Sequence, residues 1–133
     1  MTQILFETAC DRVSRIVDPA QFERLRWARE EGPRLTQLVA LAHAAFERRE
    51  EFELAEEGAT SEVKRFVLKI HSNRVVAIVL WLEGGQAHLR AEEVTRSAYR
   101  LAPGIPCSVG YDGIDAGWMD TALHDVFGRI VAA

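Results

Sequence analysis

The chain has little cysteine: Cys10 and Cys107 are the only two in 133 residues, far apart and outside any C-x-x-C. That excludes a disulfide framework and a zinc knuckle and suits a reducing compartment, so a cytoplasmic location is expected. Long apolar runs are also missing. The longest, Val75 to Leu82, is too short to cross a bilayer, and the opening "MTQILFETAC" lacks the basic and long apolar regions of a secretion signal. No membrane association is expected. Lysine is scarce, with Lys64 and Lys69 beside 14 arginines, a bias that points to a GC-rich bacterial source.

Clustered positive charge is missing too. The formal net charge is −4, which argues against a dedicated nucleic-acid binder. The acidic excess lies in residues 1–58, with 12 acids and 8 bases, whereas 62–100 carries 7 bases and 4 acids. Arg65 and Lys69 would suit a basic platform, but Phe66 alternates to the opposite face from both, which spoils base stacking. No Gly-rich phosphate loop is present, since "EGGQ" reads as a hairpin turn. The four histidines show no metal-ligand spacing, and the Asp112, Asp115 and Asp120 series does not have the spacing of a calcium loop. Neither a metal nor a cofactor is expected.

What remains is an ordinary globular composition, 48% hydrophobic and 27% charged, in a length suited to one core. Leu5, Ala9, Val13 and Ile16, with Phe6 and Val17 flanking, predict a core-facing first helix. Asp18 as N-cap and Pro19 at the first helical position open a second, which stops at Gly32-Pro33. Leu35, Leu38, Leu41, Ala42, Ala45 and Phe46 predict a third helix running to Gly58, its charged end, with Phe52 and Leu54 interleaved, lying in solvent.

From Val63 the period changes to that of strands, with turns at Ser72-Asn73 and Gly84-Gly85. Pairing Ile70 with Val75, Leu68 with Ala77 and Phe66 with Val79, then Trp81 with His88, makes the middle strand apolar on both faces and its neighbours apolar on opposite faces. Such a strand needs cover above and below, from the N-terminal helices, the C-terminal helix or a second subunit. In 91–102, Ala91, Val94, Ala98 and Leu101 share a stripe and Glu92 stands four residues before Arg96, which favours a helix ended by Pro103-Gly104; the segment could instead prolong the third strand. "IPCSVGY" reads as a short strand, and Asp115 caps a terminal helix with Met119, Ala122, Leu123, Val126, Phe127 and Ile130 on one face.

The expected fold is therefore α+β in a single domain, 1–133, with a helical part at about 1–58 and a sheet part at about 62–133. N-terminal helices precede an antiparallel meander of about three strands plus a short extra strand, and a C-terminal amphipathic helix packs on the sheet. Lys64, Trp81 and His88 fall in one row, where a cation and a flat apolar wall would receive an anionic or aromatic ligand. The same row also reads as an ordinary cross-strand ladder. Tyr111 and Asp112, between a strand and a helix, are a second candidate pocket lining, against the plainer reading of a turn before a capped helix. Cys107 would need His124 or His71 beside it to act as a nucleophile. With no catalytic constellation apparent, the expected function is a non-enzymatic interaction module of the adaptor, chaperone or immunity type, with a protein partner or a homodimer. A small-molecule binder or enzyme built on the named residues is the alternative.

Overall fold

A computed structural model describes residues 2–60 and 62–133. The chain divides into two compact units, one ending at Arg34 and the other beginning at Leu35.

In the first unit, α1 (Thr2–Val17) is followed by α2 (Pro19–Arg26) and a π-helical turn, Trp27–Glu31. Asp18 caps α2, its carboxylate accepting the Gln21 N–H at 3.1 Å, and Pro19 occupies the first turn as expected. The guanidinium of Arg15 lies 4.5 Å from the centre of the Phe22 ring, and Arg26 is paired with Glu23 and Glu31. Contrary to the sequence reading, Gly32-Pro33 does not stop the helix. The widened turn carries the Gly32 N–H to the Trp27 carbonyl, and α3 (Gly32–Ala45) begins there. A proline inside a regular helix would press its ring on the carbonyl four residues back, and a π turn just ahead of it relieves that clash.

In the second unit, β1 (Phe52–Glu56), β2 (Val63–Ile70), β3 (Asn73–Glu83), β4 (Gln86–Glu93) and β6 (Cys107–Gly110) form an antiparallel sheet in the order β1-β2-β3-β4-β6. Two further strands, β5 (Tyr99–Leu101) and β7 (Ile130–Ala132), pair with each other. The helix α4 (Ala116–Gly128) runs between β6 and β7, capped by Asp115, which accepts the Trp118 N–H at 2.8 Å. The α+β class, the meander, the short extra strand and the terminal helix packing near the sheet are all present.

Two elements differ from expectation. The third helix ends at Ala45, and Phe52 and Leu54 are half-buried on an edge strand opposite Ile70 and Leu68. Tertiary contacts outweigh the helical propensity of the Glu-rich segment, because Phe52 stacks on Phe46 at 5.3 Å and β1 completes the edge of β2. Residues 91–102 are strand, bend and strand. Arg96 takes φ +62°, and the Ser97 hydroxyl donates to the Val75 carbonyl at 2.8 Å while accepting the Tyr99 N–H, which turns the chain into β5.

The register between β2 and β3 also differs. The tight turn is His71-Ser72, both at positive φ, which by itself would preserve the expected facing of side chains. A bulge then intervenes: Lys69 faces Arg74 but Leu68 faces Val76, leaving Val75 as the extra residue. The net displacement is one residue, and one residue exchanges the faces of a strand. Phe66, Leu68 and Ile70 therefore join Val76, Ile78, Leu80, Ala87 and Leu89 on a single apolar face. Helices α3 and α4 supply its cover, through the His43 ring set edge-on to Phe66 at 5.2 Å, through buried Leu35, Leu38 and Ala42, and through Met119, Ala122, Leu123 and Val126.

The opposite face has a different roof. Val67, Ala77 and Val94 form a small buried cluster there, next to Val79. Around it Arg65 bonds Glu92 at 2.7 Å, Arg74 holds Glu57 with two contacts of 2.8 and 3.2 Å, and Arg65 reaches the Glu57 carbonyl. Long arginine stems shield apolar surface while their heads stay wet. A narrow buried strip under a charged lattice thus replaces the second helical layer that the sequence suggested.

Candidate functional site

The β3–β4 hairpin turns at Gly84 and Gly85, with φ of +61° and +74°, a backbone that L side chains rarely adopt. It sets Trp81 opposite His88, as expected, and β4 sets His88 opposite Ser108 on β6. The indole and imidazole rings stack at 5.1 Å and 20°, and the Arg90 guanidinium lies 5.0 Å from the indole centre. Lys64 is not part of this row. The bulge places it opposite Leu80, on the face that carries Phe66, and Val63 stands beside Trp81 instead. The cation over the indole is Arg90, two residues from His88, so the ring expected to serve as a ligand's apolar wall is in contact with both side chains.

Both nitrogens of His88 are engaged. Nε2 is 3.0 Å from the Glu83 carbonyl and Nδ1 is 2.6 Å from Ser108 Oγ. A carbonyl only accepts, so Nε2 carries a proton, and in the neutral ring Nδ1 accepts the Ser108 O–H. This is the hydroxyl–imidazole pairing of an activated serine, with a backbone carbonyl orienting the ring. Ser108 is exposed on a strand, and it lacks the strained turn that presents an esterase nucleophile.

Tyr111 and Asp112 lie in a 3-10 turn, Tyr111–Gly113, between β6 and α4. Tyr111 is half-buried and Asp112 exposed. A Cβ on Gly113 would sit 2.5 Å from Val109 Cγ2, so the turn is packed tightly onto β6. The neighbour of Cys107 is neither His124 nor His71 but Asp125, 3.9 Å from its sulfur. Burial, then the Asp125 charge, push the thiol above its ordinary value, the opposite of what a nucleophile needs. Among the described residues no group of three His, Cys, Asp or Glu side chains is placed to hold a metal ion, and no helix is long and apolar enough to cross a membrane.

Two open grooves lie away from all five expected ligand residues. One, of about 190 Å³, is lined by Ala45, Phe46, Asp120, Leu123, His124 and Phe127, beside the contacts among Phe46, Phe52 and Phe127. It falls short of the roughly 300 Å³ at which small-molecule pockets begin. The other, of about 420 Å³, runs along α1 over Phe6, Ala9, Cys10, Val13 and Ser14.

That second groove belongs to a feature that sequence periodicity misplaces. The α1 stripe expected to face the core is exposed: Leu5 by 72%, Phe6 by 65%, Val13 by 49%, Ile16 by 67% and Val17 by 77%, with Ile4 also open. Helical spacing of apolar residues marks a face suited to burial and does not say whether the chain's own core buries it. No protein-family model matches the chain, and no curated protein or solved structure matches it either.

Proposed function

We propose that the protein is a non-catalytic interaction module of the adaptor or chaperone kind, and that the apolar face of α1 is its contact surface. The observation that carries this reading is the row of large side chains, Leu5, Phe6, Val13, Ile16 and Val17, left open to solvent along one helix. An isolated helix of this length is marginal in water, and packing of an apolar face is what normally stabilises it. Exposed apolar surface of this continuity marks binding sites in folded proteins. Comparing wild type with Phe6→Glu and Val13→Glu in retention of proteins and in self-association tests the reading. Loss of association with an unchanged circular dichroism spectrum supports it, and association unaffected by both substitutions refutes it.

A second reading rests on the Ser108–His88 hydrogen bond, a hydroxyl already directed at an imidazole acceptor. It would make the Trp81, His88 and Ser108 row a small-molecule or ester-handling site. Hydrolysis of an activated ester that survives both Ser108→Ala and His88→Ala removes it.

A further inference from the structure

The hydroxyl and imidazole behind the second reading stand in a fixed setting. The Trp81 indole stacks on the His88 ring at 5.1 Å, the Nε2 proton goes to the Glu83 carbonyl at 3.0 Å, and Nδ1 meets Ser108 Oγ at 2.6 Å. A nucleophile, a base within hydrogen-bond reach and a third group that orients the base are the parts of an activated hydroxyl. Access to it is open. Ser108 is exposed on β6, at the edge of the sheet. Gly110, two residues on and on the same face, carries no side chain, and a Cβ there would meet nothing within 4 Å.

One cation on this face is loosely held. Arg65 bonds Glu92 Oε1 at 2.7 Å and Arg74 bonds Glu57 at 2.8 and 3.2 Å. Arg90 meets the other oxygen of Glu92 at 3.7 Å, beyond hydrogen-bond distance, and its side chain is 48% exposed. What places it is the Trp81 ring, 5.0 Å from the guanidinium carbon. A guanidinium set over an aromatic face and short of a bonded acid can take a carboxylate through two parallel N–H donors. Arg90 follows His88 by two residues on the same face of β4, so about 7 Å of strand separates this cation from the base.

We infer that Ser108 is an acylation site: it takes an acyl group from an activated ester whose acyl part also carries a carboxylate, and Arg90 holds that carboxylate. Ser108 Oγ attacks the carbonyl carbon while its proton passes to His88 Nδ1. The bond from that carbon to the leaving oxygen breaks, the leaving alcohol takes the proton from Nδ1, and Ser108 is left as an ester of the carboxylated acid. The spacing of Arg90 from His88 suits an acyl group whose carboxylate stands across a benzene ring from the ester. The inference rests on the ester-handling reading of Trp81, His88 and Ser108 and names the acyl group. A transfer that stops at the acylated serine is a modification; it needs no turnover and stands beside the α1 contact surface.

The probe is the mono-para-nitrophenyl ester of terephthalic acid, with the para-nitrophenyl ester of para-toluic acid as its uncharged counterpart. On the full chain, mass spectrometry of the intact protein and its peptides should place the acyl group on Ser108. Ser108→Ala should remove that label. His88→Gln keeps an acceptor for the hydroxyl but cannot take its proton, and should slow labelling by about a hundredfold or more. In the wild type the charged ester should acylate Ser108 on the order of tenfold faster than the uncharged one, the scale of a hydrogen bond to a charged group. Arg90→Gln should bring that ratio close to one, and Arg90→Lys should retain part of it. All variants are compared at an unchanged circular dichroism spectrum. If Ser108 is labelled but the two esters react alike, or Arg90→Gln leaves their ratio untouched, the carboxylated donor is overturned and the ester-handling reading survives. If Ser108 takes no label, or takes it as fast in His88→Gln, both fall.

Discussion

Leu80 and Leu5 both belong to apolar patterns that sequence alone assigns to a core, and the structure separates them. Leu80 is fully buried at the centre of β3, between Lys64 and Leu89 on the neighbouring strands, whereas Leu5 is 72% exposed on α1. Leu80→Ala removes three carbons, worth about 0.8 kcal/mol each in transfer. The cavity left in a close-packed interior raises the total to about 3–4 kcal/mol. Leu5→Ala removes the same atoms from surface that is mostly wet already. Leucine and alanine are also both good helix formers, so a dilute sample should lose less than about 0.5 kcal/mol. Urea unfolding followed by far-UV circular dichroism, at high dilution and again at high concentration, reads both. The Leu80→Ala loss should be independent of concentration, and a Leu5→Ala loss should emerge only when the sample is concentrated enough to associate. A loss of about 2 kcal/mol or more for Leu5→Ala at high dilution would mean that the chain covers this face itself, and the proposed contact surface would be gone.

Cys107 should react with iodoacetamide more slowly than an ordinary thiol at neutral pH, because burial and the nearby Asp125 raise its pKa; Asp125→Asn should speed it, and an unchanged rate would remove Asp125 as a cause. Asp115→Ala leaves the Trp118 N–H without its acceptor and should cost about 1 kcal/mol in denaturant unfolding, as loss of an N-cap does. Glu57 is held below the ordinary carboxylate range by its hydrogen bonds to Arg74. A depressed acid stabilises the fold above its unfolded value and loses that contribution as pH falls through the folded one. Both partners of this pair reach solvent, so the effect is small and screened by salt. Wild type should lose stability more steeply than Glu57→Gln as pH falls through the acid limb, the difference shrinking in high salt; parallel acid limbs would show the pair to be neutral.

The candidate row is half legible in the sequence. Trp81 against His88 follows from the Gly84-Gly85 turn and simple alternation, and that pairing holds. Alternation misplaces Lys64 because a bulge cannot be read from composition. Val75 is as apolar and β-branched as Val76, and nothing local says that it is the unpaired one. Ser108 enters the row only through the pairing of β6 with β4, a contact between residues 20 apart in the chain. Arg90 sits where alternation predicts, but its place over the indole depends on side-chain packing between strands.

The sequence by itself determined what is local: the Asp18 and Asp115 caps, the proline opening α2, the hairpin glycines, and the apolar periods of α3, β3 and α4. These are set by a few adjacent dihedrals and by which groups must leave water. Only the tertiary structure decided where the Glu-rich segment after Ala45 would go, whether 91–102 would coil or extend, and which strand face each side chain joined. In each case the local preference is worth tenths of a kcal/mol per residue, and a single long-range contact outweighs it. The α1 stripe belongs to the same class. Its period marks a face suited to burial, and periodicity is blind to whether the chain's own core buries it.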